Sequence, residues 1–206
     1  MKSLSDRTQN IAASLTVAID TMAKQMIADG KDVVSLGAGE PDFGTPTPIQ
    51  DAAIEAIRAG KTRYTAPVGI LEVRKAVAKK LEEENGLHYD ASQIIMTSGA
   101  KHAVFNALAA LINPGDEVII PAPYWVTYPE LVKWLGGTPV FVQAGIEKNF
   151  KIDAEDLRKA CTPRTKAILL NNPCNPTGAV YSKSELEALA KEIVAQDIYC
   201  ISDEVY

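Results

Sequence analysis

Asn175, Asp203 and Tyr206 are an amide, an acid and a phenol, and each follows an apolar run. Asn175 lies in Asn171-Asn172-Pro173-Cys174-Asn175-Pro176-Thr177-Gly178, directly after Ala167-Ile168-Leu169-Leu170. Two X-Pro steps and a terminal glycine stop a strand, hold a tight loop and leave the Asn175 amide able to point at a ligand. Asp203 and Tyr206 end the run Ile198-Tyr199-Cys200-Ile201-Ser202-Asp203-Glu204-Val205-Tyr206, which again finishes in polar groups. A helical pattern separates the two runs. Strand, crossover helix and parallel strand put both carboxyl ends on one rim, and in open α/β sheets ligands bind beyond that rim. The three groups would then converge. Acid, phenol and amide around one point suit an aromatic nitrogen heterocycle with a phenolic oxygen, a description that pyridoxal phosphate meets. A single Asn-Pro-Thr-Gly is ordinary turn chemistry before a helix; the pairing of the two runs is what favours a site.

The elements that must carry these groups are legible upstream. Apolar residues at Ala18, Met22 and Met26 and at Ile19, Ala23 and Ile27 predict an amphipathic helix over 15–27, closed by Gly30. Short strands are predicted at 33–36 and 94–97, and helices at 48–59 and 70–84, the second with a solvated charged face. A helix over 102–111 follows Ser98-Gly99-Ala100-Lys101. Its amino terminus offers unpaired N–H groups and about half a positive charge, a seat for phosphate. Ser98 alone reads as its N-cap. Strand 117–120 runs into Pro121-Ala122-Pro123, which brings Tyr124 and Trp125 to the same rim. Helix 128–135, strand 139–143, helix 154–161, strand 167–171, helix 182–195 and strand 198–203 continue the alternation. The fold class is α/β, a mainly parallel sheet flanked by helices.

Composition narrows the rest. The 206 residues are 47% hydrophobic and 23% charged, values of a soluble globular chain of one to two domains. A net charge of −5 without a basic patch argues against nucleic-acid or anionic-membrane partners. Cys161, Cys174 and Cys200 are three and widely spaced, so neither a disulfide framework nor a metal site is indicated. With no apolar stretch of membrane-spanning length and no signal-peptide core after Met1, the expected compartment is the cytoplasm.

The pair Asn-Pro-x-Asn-Pro-Thr-Gly and Asp-Glu-Val-Tyr resembles the fold-type I pyridoxal phosphate aminotransferases, in the aspartate aminotransferase branch. The resemblance runs from Ser35-Leu36-Gly37-Ala38-Gly39-Glu40-Pro41-Asp42-Phe43 through Arg63-Tyr64-Thr65 and Pro121-Ala122-Pro123-Tyr124-Trp125 to Tyr206. Val73-Arg74 stands where the family usually has Leu-Arg. The resemblance implies an N-terminal arm and the start of a small domain over 1–47, and a pyridoxal phosphate-binding large domain over 48–206, incomplete at its C-terminus. It also implies transamination between an amino acid, aspartate by preference, and a 2-oxo acid such as 2-oxoglutarate.

Residue by residue, the resemblance gives Asp203 the protonated pyridine nitrogen, and Asn175 and Tyr206 the phenolic oxygen. Ser98, Gly99 and Ala100 would cradle the phosphate. Trp125 would stack on the ring, preferred over Tyr124 by its spacing before Tyr128; the substantial alternative is a core aromatic. Tyr64, otherwise a packed loop aromatic, would cross a homodimer interface to the partner's phosphate. The Gly37 backbone would meet the substrate carboxylate; the alternative is a loop glycine needed for positive φ. Lys101 would reach the distal carboxylate of an acidic substrate, or else only neutralise the phosphate or sit on the helix surface; Thr16, Trp125 and Asn175 would add substrate contacts. His88 and His102 are read as structural. The Schiff-base lysine, the arginine that holds the substrate α-carboxylate and a second, phosphate-binding arginine belong beyond Tyr206 in this family, so the chain alone is expected to be inactive. Two rivals stand beside transamination: a carbon–sulfur lyase of the same fold, and a non-catalytic truncated chain.

Overall fold

The computed structural model describes residues 2–9, 11–12, 15–37, 39, 41 and 43–205. In chain order the helices and strands are α1 (Asp6–Gln9), α2 (Leu15–Ala28), α3 (Thr47–Arg58), α4 (Leu71–Asn85), α5 (Ala100–Leu111), β1 (Glu117–Ala122), α6 (Thr127–Trp134), β2 (Thr138–Gln143), α7 (Ala154–Ala160), β3 (Thr165–Asn171), α8 (Lys183–Ala195) and β4 (Tyr199–Asp203). The chain forms two compact units, one of Met1–Ser14 with Ser98–Tyr206, the other Leu15–Thr97.

In the first unit four strands form a wholly parallel sheet in the order β2-β1-β3-β4. The two central strands read as near-continuous apolar runs because both faces are covered. Successive side chains point to opposite faces of a strand, and the core divides accordingly. Val118, Ile120, Ala167 and Leu169 pack with Val104 and Leu108 of α5 and with Tyr128 and Val132 of α6. Ile119, Ile168 and Leu170 pack on the other side with Leu157 of α7 and with Leu189 and Ile193 of α8. Each fully buried Leu or Ile contributes roughly 1.5–3 kcal/mol, so this double cover is what holds the strand ends in place. The α/β class predicted from the alternation is therefore the observed fold.

Local signals set the helix ends. Ser182 and Glu185 form a capping box at α8, as do Asp153 and Asp156 at α7. Beneath the sheet's opposite rim, the carboxylate of buried Glu117 accepts hydrogen bonds from Thr162 Oγ1 at 2.6 Å and Arg164 Nε at 2.9 Å. Those bonds, Thr162's first, hold its pKa below the usual carboxylate value.

The second unit contains α2, α3, α4 and a 3-10 turn at Ala91–Gln93. Gly30 and Gly86 end α2 and α4 with φ of 79° and 67°, the left-handed conformation that favours glycine. The strands predicted at 33–36 and 94–97 are not formed: these residues have no ladder partner among the described residues. Their apolar composition is that of a strand, but a strand exists only by pairing, which composition does not supply. Ile94 is nonetheless buried, and the Met96 N–H donates to the Val68 carbonyl at 3.0 Å. No helix among the described residues is long and apolar enough to cross a membrane.

Candidate active site

Asn171 and Asp203 are register partners at the carboxyl ends of β3 and β4, so the two runs finish side by side. The Asn171 side chain then ties three segments together. Its Oδ1 accepts from the Asn175 N–H at 2.6 Å and its Nδ2 donates to the Asp203 carbonyl at 3.0 Å. The Asn172 N–H donates to the same carbonyl at 3.0 Å, and the Asn172 Oδ1 accepts from the Tyr181 N–H at 2.9 Å. Gly178, at φ 69°, donates to the Cys174 carbonyl and closes the loop. The loop around Asn175 is thereby anchored on both strands. Among the described residues, the Asn175 side-chain amide itself has no hydrogen-bond partner.

Asp203 is only 7% exposed. Its Oδ2 accepts from the Tyr128 hydroxyl at 2.6 Å, the kind of pairing a buried carboxyl needs. Tyr128 is itself buried in the first turn of α6. Trp125, just before that helix, meets the Tyr128 ring edge-on with centroids 5.4 Å apart at 88°. Tyr124 points elsewhere, stacking on Phe141 at 4.9 Å.

On the same rim α5 begins at Ala100, with Gly99 as its N-cap at φ 80°. Among the described residues, and its chain neighbours aside, no atom lies within 4 Å of where a Gly99 Cβ would stand, so the missing side chain leaves open space at the helix amino terminus. Ser98 was expected as the N-cap and is not: no side chain caps α5. Instead the Ser98 N–H donates to His102 Nδ1 at 3.3 Å, which places the imidazole proton of a neutral His102 on Nε2. The Lys101 ammonium lies 5.2 Å from the Trp125 ring centroid, within cation–π range.

Gly99, Ala100, Lys101, Trp125, Asn175 and Asp203 share one cleft of about 330 Å³, with Tyr128, Asn171 and Val205 completing its walls. Volume and lining are those of a small-molecule site. A flat ring against Trp125, a ring N–H toward Asp203, an acceptor oxygen toward Asn175 and an anion at the start of α5 would match the donors and acceptors present. The residues therefore fit a phosphorylated pyridine. Ser98 is outside the cleft lining, and Tyr206 lies outside the described residues.

Thr16, Gly37 and Tyr64 belong to the second unit. Thr16 is exposed in the first turn of α2. Tyr64 is fully exposed on its unit, so the packed loop aromatic is ruled out there. Gly37 does not have positive φ; a Cβ there would stand 2.9 Å from Ile19 Cγ2, so close approach to α2 is what asks for glycine.

Sequence reasoning passed over Tyr128 and Asn171 as site residues. By sequence Tyr128 reads as a helix start and Asn171 as a strand end. The available signal was spacing: three residues from Trp125 to Tyr128 is one helical turn, and Asn171 sits four before Asn175.

The family model for aminotransferase class I and II matches residues 31–206. The chain is 49% identical over 207 residues to an aspartate/prephenate aminotransferase of Cereibacter sphaeroides, covering 100% of this chain and 52% of that protein. It is 47% identical to an aspartate aminotransferase of Bacillus sp. strain YM-2, covering 98% of this chain and 52% of the other. The solved aspartate aminotransferase from Thermus thermophilus with maleate superimposes at a TM-score of 0.97 and 49% identity, over 100% of this chain and 54% of its own. The chain thus spans about half the length of the relatives it matches.

Proposed function

The chain belongs to the aminotransferase class I and II family, and from that we propose that the protein transfers an amino group from aspartate to 2-oxoglutarate with pyridoxal 5′-phosphate as cofactor. The observation that carries the reading is the buried Asp203 carboxyl sharing one cleft with Trp125, Asn175 and the amino terminus of α5. When bound, the cofactor supplies a sink for the electrons left on the substrate Cα. Asp203 holds the proton on the ring nitrogen. Asn175 and Tyr206 hydrogen-bond the phenolic oxygen. Ser98 offers the phosphate its hydroxyl, Gly99 and Ala100 their backbone N–H groups, and Trp125 covers a ring face and excludes water. Lys101 meets the distal carboxylate of the substrate, with Thr16 and the Gly37 backbone as further substrate contacts, and Tyr64 reaches the phosphate bound by a second subunit of a homodimer. The proposed domain division stays at residues 1–47 and 48–206, and the proposed compartment is the cytoplasm.

A dicarboxylate preference draws support from the relatives: prephenate and aspartate, in their names, and maleate, in the solved Thermus thermophilus structure, all carry two carboxylates. The test is an assay of the purified, natively encoded protein with aspartate and 2-oxoglutarate. Oxaloacetate and glutamate should appear in equal amounts by ping-pong kinetics. Pyruvate and ammonia from a cysteine conjugate, without amino-group exchange, would assign the protein to carbon–sulfur lysis instead.

A further inference from the structure

We propose that Tyr128 is a positioning residue, whose phenol orients the Asp203 carboxyl so that its other oxygen is presented to a ring nitrogen in the cleft. The inference rests on the cofactor reading above and adds a residue to it. Three observations converge. The Tyr128 hydroxyl donates to Asp203 Oδ2 at 2.6 Å, and both residues are buried, at 2% and 7% exposure. Both also line the cleft, so the pair forms part of its surface, not a remote core contact.

The phenol is held independently of any ligand. Its ring packs with Val104, Leu108, Val118, Ile120 and Leu169 beneath the sheet rim and against the edge of Trp125. The other half of the geometry is the backbone: the Asp203 carbonyl accepts from Asn171 Nδ2 and from the Asn172 N–H, which pins the residue from which the carboxyl projects. A carboxylate has two oxygens and about four lone-pair sites. With Oδ2 engaged by a donor fixed in the core, rotation of the carboxyl would break a buried hydrogen bond, so Oδ1 faces the cleft in one orientation. Catalytic constellations need this kind of support, because a loosely held group must be ordered at each encounter. Removing the phenol hydroxyl leaves the ring packing intact and frees the carboxyl to turn.

The experiment measures dissociation constants, by calorimetry, for pyridoxamine 5′-phosphate and for its 1-deaza analogue, which lacks the ring nitrogen. Natively encoded wild-type protein and Tyr128→Phe are compared. Wild type should bind the natural cofactor more tightly than the analogue. Tyr128→Phe should weaken the natural cofactor roughly tenfold or more, the scale of a hydrogen bond to a charged group, and leave the analogue nearly unchanged. Equal weakening of both probes would make Tyr128 merely structural and overturn the inference while leaving the cofactor reading intact. An unchanged affinity for both would also overturn it. Failure of wild type to bind either probe would instead sink the cofactor reading, and the inference with it. If the Phe variant does not fold, 3-fluorotyrosine at position 128 keeps the phenol and acidifies it. A change confined to the natural cofactor supports the role, and equal changes refute it.

Discussion

Lys101 stands in the first turn of α5, where the helix dipole opposes a cation by about 0.3–1 kcal/mol. Its Nζ lies 5.2 Å from the Trp125 ring centroid, a contact worth about 0.5–1 kcal/mol at an exposed site. The two effects nearly cancel, so helix stability alone does not account for the position, which leaves room for the substrate-carboxylate contact proposed above. One charge-assisted contact is worth roughly 1.5–3 kcal/mol. Lys101→Ala should accordingly lower kcat/KM for aspartate by roughly ten- to a hundredfold, with little change for alanine or phenylalanine. Steady-state kinetics on the three amino acids check this; an equal loss for all of them would reassign Lys101 to the cofactor. At this scale the residues with a local signature were legible: Gly99 before a helix, Asn175 between prolines, Asp203 at a strand end. Tyr128 was not, because its partner lies 75 positions away, and a phenol at a helix start looks the same whatever it touches.

At the scale of elements, the αβ alternation from α5 to β4 was readable to within one or two residues at most ends, because apolar periodicity, capping boxes and Gly/Pro punctuation act locally. Runs 33–36 and 94–97 were misread for the opposite reason: pairing is a property of two segments. The amino end of α8 shows how a local signal is reinforced from a distance. Glu185 accepts from the Ser182 N–H at 2.6 Å to complete the capping box, and pairs with Lys151 Nζ at 2.6 Å from the loop before α7. The Lys151 hydrogen bond first, then those of Ser182, hold the Glu185 pKa down at about 2, against an ordinary 4.5. A depressed acid pKa contributes stability that is fully present above the unfolded value and is lost as pH falls through the folded one. Glu185→Gln keeps an acceptor for the cap but removes the charge. Its melting temperature should lie below wild type at neutral pH, and the gap should close as pH drops from 4.5 toward about 2. Thermal melts across that range test it; a gap of the same size at both ends would place the stabilisation outside the Lys151 pair.

For the whole molecule the two units pose different demands. Ser98–Tyr206 carries a double-faced core, whereas in Leu15–Thr97 only Ala23 and Ile94 are buried among the described residues. Helix α3 has a regular apolar stripe, yet Ile49, Ile54 and Ile57 remain 59%, 45% and 65% exposed. Phe43 and Tyr64 are almost wholly exposed as well. Exposed apolar side chains in this number favour a partner surface that covers some of them. The homodimer proposed above offers one cover, since a two-fold interface presents the same patch from both subunits and lets Tyr64 of one serve the phosphate seat of the other. Sedimentation equilibrium of the natively encoded protein should give twice the subunit mass at micromolar concentration. Tyr64→Phe should leave that mass unchanged while weakening cofactor binding by roughly 1.5–3 kcal/mol, one hydrogen bond to a charged group. If Tyr64 acts across the interface, mixed dimers of Tyr64→Phe with Asp203→Ala subunits should each contain one seat with both defects and one with neither, so half of the wild-type cofactor capacity returns. Mixed dimers that recover none would place Tyr64 and Asp203 in the same subunit's seat and remove the argument for a shared site.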